Sequence, residues 1–374
     1  MKLKLISAFL AAAVVLSMPC LASEEVHQPQ HARAKVLSVK DLSESMGPSP
    51  AMKTLVQEVT VKVTSGRFSG KQMTLEHRAS GGMIASDMIL RPGDRVMLYV
   101  DEYPTRAESP DGTPVFNIAD YERDAPIYWL AFFFCLLLVA LGGLKGLKSL
   151  IGLLITVVLV FLVLFPLAFM GLNPLLVSVA ISGAVLVIVF RIIAGRTAKG
   201  YSAAIGTFFG VSIAGLLAYA VGSMVHLSGL SSEESKMLLF SMNLKIDYQG
   251  LLFGSIVIGA LGAVMDVGMS IASAVEEVHK VHPNSNFKDL FNAGMNVGRD
   301  VMGTMSNTLI LAYTASAMPL LMLLIANNIS PDKIMNLEMI VTEAVRALAG
   351  SIGLVLCIPI TAFVSALMQT KNRT

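Results

Sequence analysis

The chain has 374 residues, of which 54% are hydrophobic and 14% charged, and its mean hydropathy is +0.68. One soluble core cannot absorb that much apolar side chain, so the composition is typical of a membrane protein. A formal net charge of +2, without a basic run carrying interleaved aromatics, excludes nucleic-acid binding.

Residues 1–22 are predicted to be a signal peptide. Lys2 and Lys4 form a positive n-region, residues 5–18 are apolar, and 20–22 supply a small-residue cleavage site. A lipoprotein interpretation of Cys20 is weaker because Met18 and Pro19 precede it. The segment that follows is therefore expected to be exported, and its lack of cysteine excludes a disulfide framework there.

Residues 23–125 are predicted to form a small exported β-rich domain, a β-barrel or sandwich, with an OB-like barrel as the expected fold. The run EVTVKV (58–63) alternates apolar and polar side chains, and KQMTLEH returns after the turn SGRFSG, which predicts a hairpin. RPGD (91–94) predicts a second turn. RVMLYVDE and VFNIADY predict two further strands.

Residues 126–374 are predicted to form a polytopic helical membrane domain of about seven transmembrane helices. Apolar blocks of about twenty residues place the spans at 127–144, 149–171, 174–194, 202–226, 249–273, 301–325 and 339–367. Lysine and arginine concentrate in every second connection, so the positive-inside rule places the β-domain outside and the C-terminus in the cytoplasm. The predicted location is the plasma (inner) membrane of a bacterium.

The fifth predicted span carries an ionisable group at bilayer depth. Small and acidic side chains recur there every three or four residues: Ser255, Gly259, Gly262, Asp266, Ser270, Ser273 and Glu277. An intramembrane carboxylate is expensive and is expected to face the bundle interior, a cavity or a partner. Gly259 and Gly262 would admit a close helix neighbour. We expect this stripe to face inward and to carry function.

The sixth predicted span begins with a second polar cluster. Asp300, Thr304 and Asn307 share one face of this helix, so a polar path between the fifth and sixth spans is predicted. Antiparallel packing would also bring Glu276 near Arg299, which predicts an ion pair there. Glu343 and Arg346, one turn apart in the last span, predict a local ion pair.

Enzymatic motifs are missing from the sequence. It contains no GxSxG elbow, no HExxH and no GxxxxGK[ST] loop. The histidines lack a convincing set of metal-ligand partners, so neither a metal nor any other cofactor is expected. We therefore expect a protein that is not an enzyme.

Two segments carry a family resemblance: GALGAVMDVGMSIASAVEEVHK and FNAGMNVGRDVMGTMSNTLILAYTASAMPLL. They resemble the YibE/F-like family of bacterial multi-pass membrane proteins, and the resemblance extends over roughly residues 125–368. It implies a polytopic protein, presumed to be a permease, without an agreed substrate. A more distant likeness to RND permeases and SecD/SecF would make Asp266 a proton-coupling acid. The chain departs from that pattern because it lacks a second mid-span acid and a lysine partner.

Two functions stay open at this point. The first is a transporter for an unknown small solute or ion, with coupling to protons or cations as its hypothesis, in which Asp266 works with Ser270, Ser273 and Glu277. The alternative is a non-transporting membrane scaffold or envelope assembly factor, whose exported β-domain binds an envelope protein. A homo-oligomer is expected to be compatible with either function.

Overall fold

The computed structural model describes residues 30–42, 55–79, 88–101, 114–242 and 246–371. The predicted signal peptide lies outside these residues. The chain divides into two compact units between Leu137 and Leu138. The division falls within the first helix, twelve residues beyond the predicted domain boundary at 125/126.

The first unit contains a five-stranded antiparallel sheet with the strand order β3-β2-β1-β4-β5. Its strands are β1 (Gln30–Asp41), β2 (Leu55–Val63), β3 (Gln72–Ala79), β4 (Arg95–Asp101) and β5 (Val115–Tyr121). The outer strands β3 and β5 contact each other, so the sheet curls into a half-barrel. This agrees with the predicted barrel-like β-domain, while the closer OB-like assignment stays a prediction.

The inner face of the half-barrel follows the alternation of the sequence. Val59, Val61 and Val63 are buried, as are alternate residues of β1 and β4. The predicted hairpin is confirmed, since Val61 pairs with Met73 across β2 and β3. Its turn contains Gly66 and Gly70, whose φ angles are 79° and 88°. Residues other than glycine rarely adopt this backbone conformation.

A buried glutamine ties the sheet to the loop before β4. The Gln57 side chain accepts a hydrogen bond from the Leu90 amide (2.9 Å) and donates to the Leu90 carbonyl (3.3 Å) and to Asp41 (3.1 Å). These bonds satisfy backbone groups that would otherwise be buried without partners. The sequence did not single out this residue.

The second unit is helical. Its elements are α1 (Asp124–Leu159, which starts in the first unit), a π-helical turn (Val160–Leu164), α2 (Phe165–Phe169), α3 (Pro174–Ile193), α4 (Ala198–Met224), α5 (Glu233–Met242), α6 (Tyr248–Val281), α7 (Phe287–Ser316), α8 (Met318–Ala326), α9 (Pro331–Ile334) and α10 (Glu338–Lys371). Among the described residues, five helical segments are long and apolar enough to cross a membrane, or six when α7 and α8, bent by 56°, count as one.

Side-chain caps fix where the long helices begin. Asn173, Thr197 and Asp247 each accept a hydrogen bond from the backbone amide three residues ahead, at the starts of α3, α4 and α6. Asn286 and Asp289 form a reciprocal capping box at the start of α7. These caps explain why the helices α4, α6 and α7 start outside the apolar blocks that predicted them.

α1 reverses direction at Gly143, which has φ 54° and ψ −135° and is therefore not helical. A Cβ atom added to Gly146 would lie 3.5 Å from the Cα of Val139. Residues seven apart in a straight helix are separated by about 10 Å. The chain consequently turns back on itself near the boundary between the first two predicted spans.

Glycines let α4, α6 and α10 approach closely at the centre of the helical unit. A Cβ atom on Gly210 would lie 2.8 Å from the Gly353 carbonyl oxygen and 2.8 Å from the Cβ of Cys357. A Cβ on Gly206 would lie 2.9 Å from the Cα of Thr361. The glycine pattern GTFFG therefore serves tight helix packing.

Candidate functional site

The stripe of small and acidic side chains on α6 lies on the exposed side of the chain. Ser255, Gly262, Asp266 and Ser270 are all exposed, as are Gly259 and Glu277, whereas Ser273 is partly buried. This corrects the expectation that the stripe faces inward. The opposite face of α6 is more apolar and fills the core instead, with Val264, Val267, Ile271 and Val275 buried.

The polar residues of α7 lie on that helix's exposed face in the same way. Asp300, Thr304 and Asn307 are exposed. The buried side of α7 carries Gly294, Gly298 and Leu309. The sequence predicted which residues share a face, but it did not establish which face meets the rest of the bundle.

The contacts between α6 and α7 bring the two polar faces to the same level. A Cβ atom on Gly294 would lie 2.9 Å from Val275, and one on Gly298 would lie 3.6 Å from Ile271. Because four residues forward on α7 correspond to four residues back on α6, continuing this register places Asp266 beside residue 303.

The same register places Ser270 beside Arg299 and Asp300, Ser273 beside Asn296, and Gly262 beside Asn307. The two exposed polar rows therefore lie at matching levels on neighbouring antiparallel helices and together outline one polar strip. We call it the α6–α7 groove, lined by Gly262, Asp266, Ser270 and Ser273 on α6 and by Asn296, Asp300, Thr304 and Asn307 on α7.

Two threonine hydroxyls of α7 bond to carbonyls of their own helix, whereas the carboxylates of the groove have no such partner. Thr304 donates to the Val301 carbonyl (3.0 Å), and Thr308 donates to the Thr304 carbonyl (2.9 Å). Among the described residues, neither the Asp266 nor the Asp300 carboxylate has a hydrogen bond or an ion pair. Within one chain, these two carboxylates therefore have no described partner.

One end of the groove continues into a cluster around Tyr313. A Cβ atom on Gly259 would lie 2.8 Å from the Tyr313 hydroxyl. The Arg346 guanidinium lies 5.8 Å from the centre of the Tyr313 ring and pairs with Glu343 at 3.1 Å. The predicted pair between Glu343 and Arg346 is therefore confirmed. Tyr313 was missed, because its role depends on the register between two helices.

Beyond this cluster lies a cleft of about 190 Å³, at the bend between α7 and α8. Ser231, Ser232, Ser316 and Glu343 supply its polar lining. The cleft thus presents hydroxyl and carboxylate groups close to the Tyr313 end of the groove.

The opposite end of the groove leads to an ion-pair cluster. Glu276 binds Lys199 of α4 (3.0 Å) and Lys280 (3.5 Å), and Lys280 also binds Glu277 (2.8 Å). Lys145, next to the reversal of α1, acts electrostatically on Glu277. We call this region the Lys199 end.

The predicted ion pair between Glu276 and Arg299 is not the pair that forms. Arg299 instead donates to the amide oxygen of Asn296 at 3.1 Å. Glu276 is only partly exposed and is directed toward α4, whereas Arg299 lies on the exposed face of α7. In the part of the chain that the structure describes, no three side chains are placed to hold a metal ion.

Long apolar helices, with polar groups confined to particular faces and ends, define a multi-pass membrane protein. The sequence model of the family described as YibE/F-like protein matches residues 130–371. The chain belongs to the YibE/F-like family, as the resemblance predicted. Comparison with curated proteins finds no match, and comparison with solved structures finds none either. The more distant likeness to RND permeases and SecD/SecF is therefore not confirmed.

Proposed function

We propose that this protein is a transporter of the plasma (inner) membrane, rather than an enzyme, and that the α6–α7 groove is its path. The observation that carries the proposal is the Asp266 carboxylate, which has no partner among the described residues and lies midway along a polar groove. Charged side chains at bilayer depth mark ion and substrate pathways more often than they serve packing.

The proposed path has polar groups at both ends. The cleft at Ser316 and Glu343 gives a small hydrophilic solute or ion an entry site at the Tyr313 end. Asn307 and Thr304 line the groove toward Asp266, and Asp300 follows beyond it. Proton or cation binding at Asp266 would shift the balance between two helix arrangements, provided that the two arrangements bind it with different affinity.

The proposed topology has seven spans, with the β-domain outside the cell and the C-terminus in the cytoplasm. The reversal at Gly143 divides the 46-residue apolar segment Asp124–Phe169 into two spans, and α7 with α8 makes one more. The Lys199 end then lies on the cytoplasmic side, where Lys145, Lys199 and Lys280 follow the positive-inside rule.

The first experiment tests the carboxylate itself. A hydrophobic carbodiimide, which reacts with protonated carboxyl groups in the membrane, should modify Asp266 in vesicles, as read by peptide mass spectrometry. Labelling should fall as pH rises, and Asp266→Asn should remove it. Labelling that spares Asp266 at every pH would show that protons do not reach this side chain.

The second experiment tests transport. Cells lacking the protein are compared with cells carrying wild type, Asp266→Asn or Asp332→Asn for accumulation and efflux of candidate solutes and ions. Asp332→Asn is the same chemical change at a position in the short helix α9, outside the groove. We expect Asp266→Asn to behave like the deletion although it is inserted and abundant, and Asp332→Asn to behave like wild type.

The same comparison separates transport from the rival function, an assembly factor that binds an envelope protein through its β-domain. A scaffold should tolerate the nearly isosteric Asp266→Asn change and keep its partner. Wild-type solute levels with Asp266→Asn would therefore contradict the transport proposal.

A further inference from the structure

The exposed face of α7 carries a line of mostly polar and small side chains directly opposite its buried face. The line advances by three or four residues at each step except the step of seven from Asn296 to Gly303, and Ile310 is its one apolar member. All of its members are exposed: Asn292, Asn296, Gly303, Asn307, Ile310 and Thr314. At its middle, a Cβ atom on Gly303 would meet no other atom within 4 Å. We call this line the α7 seam.

Two opposite charges flank the α7 seam. Arg299 and Asp300 are adjacent, so their side chains point about 50° to either side of the seam. Asp300 has no hydrogen bond or ion pair among the described residues, and Arg299 has only the amide of Asn296. Because neighbouring helix positions diverge by about 100°, the two charges are poorly placed to neutralise each other within one helix.

This face is unsuited to lipid. On α4 and α10, by contrast, large apolar side chains are exposed, such as Leu216 of α4 and Leu348 and Phe363 of α10. Within the predicted span 301–325, the Asn307 amide needs hydrogen-bond partners that hydrocarbon does not offer. The seam therefore requires a partner that presents polar groups and can approach closely at Gly303.

We propose that the partner is a second copy of this chain, bound through α7 around a two-fold axis parallel to the helix. That symmetry places Arg299 opposite Asp300 of the partner subunit, and Asp300 opposite Arg299 of the partner subunit. Two ion pairs then form across the seam. They pair an arginine and an aspartate that have no oppositely charged partner among the described residues of one chain. Gly303 lies on the axis, where two small residues let the backbones approach.

The two-fold arrangement also gives the seam amides suitable partners. Residues on the axis meet the same residue of the other copy, so Asn296 and Asn307 each face an amide that can both donate and accept. Asp266 lies at the level of Gly303 but on the neighbouring helix, so the α6–α7 groove runs along the edge of this interface. The dimer is inferred without reference to transport.

The first test is disulfide cross-linking of the full-length protein, purified and reconstituted in lipid vesicles. The native cysteines are replaced (Cys20→Ser, Cys135→Ser, Cys357→Ala), and one cysteine is introduced at Gly303 or Asn307. The matched control is Leu216→Cys, an exposed position on α4 that is not part of the seam.

Mild oxidation should give a covalent dimer at both seam positions and at least about tenfold less at the control. A dimer band no stronger than that of the control at either seam position would overturn the proposal. Because purified protein is used, a product of twice the chain mass can come only from two copies of this chain.

The second test reverses the charges. Arg299→Asp places two carboxylates against each other at each flank, and the fraction of dimer in vesicles, counted by single-molecule photobleaching, should fall. The dissociation constant should rise by about tenfold or more. Adding Asp300→Arg exchanges both charges and should restore dimerisation.

Restored dimerisation in the doubly exchanged chain is the decisive outcome. Residues 299 and 300 of one helix diverge and cannot pair with each other, so only pairs between two copies would be restored by exchanging both charges. If the doubly exchanged chain dimerises no better than Arg299→Asp, the reciprocal pairs do not exist. A dimer that cross-links normally while Asp266→Asn transports normally would instead refute the transport proposal and leave the dimer standing.

Discussion

Replacing Gly210 by alanine tests whether the packing of α4 against α10 has no spare room. The added methyl would lie 2.8 Å from the Gly353 carbonyl oxygen, 2.8 Å from the Cβ of Cys357 and 3.0 Å from Val264. The first of these neighbours is backbone, so the helices themselves must separate. Overpacking of this kind typically costs about 1–3 kcal/mol.

A second glycine provides the matched control. Alanine stabilises a helix over glycine by about 0.5–1 kcal/mol, and this gain applies equally at Gly210 and at Gly262 of α6. At Gly262 the added methyl would meet nothing within 4 Å. We therefore expect Gly210→Ala to lower the free energy of unfolding by about 1–2 kcal/mol and Gly262→Ala to raise it slightly.

The measurement is equilibrium unfolding of each variant, titrated from mild detergent into sodium dodecyl sulfate and followed by circular dichroism. The unfolding free energies of the two variants should differ by about 2 kcal/mol, with Gly210→Ala below wild type and Gly262→Ala above it. If both glycines accept alanine with the same change in unfolding free energy, the close approach of α4 and α10 is not a feature of the folded protein.

Three further predictions concern polar contacts. Gln57→Leu should destabilise the β half-barrel by about 1–3 kcal/mol in thermal unfolding, because both backbone groups of Leu90 lose their buried partner. The hydrogen bond from Arg123 holds the pKa of Asp120 below its ordinary value, so this pair stabilises the fold above the unfolded-state pKa. As pH falls through the lowered pKa, the wild type loses this contribution to its free energy of unfolding. Asp120→Asn should not show that loss when its unfolding is measured over the same pH range. Glu276→Gln should weaken the ion pairs at the Lys199 end and therefore increase amide hydrogen exchange at the C-terminal end of α6. An unchanged exchange rate there would show that these ion pairs do not stabilise the helix end.

The strands and long helices could be predicted because their patterns are local. The alternation of EVTVKV determines which valines are buried, and apolar blocks locate α3, α4, α6 and α10 within a few residues. Strand β1 was missed, although Ala32, Ala34 and Val36 alternate with polar residues, because small side chains give a weak signal. The reversal at Gly143 depends on a positive φ that glycine permits but does not require.

The candidate site was predictable only as a set of helix faces. Periodicity shows that Asp266 and Ser270 lie on one face of α6, but in a membrane protein a polar face can meet either the bundle or a partner outside it, so periodicity cannot show which it does. The partner of Glu276 illustrates the same limit. Lys199 lies on α4, far from Glu276 in sequence, and the pair depends on how three helices meet.

The glycine contacts at the bundle centre have a mechanical consequence. Backbone meets backbone between α4 and α10, and such a contact cannot be relieved by turning a side chain about its bonds. At Gly294, α7 also meets Ala362, whose Cα would lie 3.3 Å from an added Cβ. At Gly298, by contrast, its neighbours are the side chains of Ile358 and Ile271, and α7 is broken from α8 by the 56° bend. A helix movement during a functional cycle would therefore leave α4, α10 and the Gly294 end of α7 in place and would displace the part of α7 that lies beyond Gly298, toward the bend.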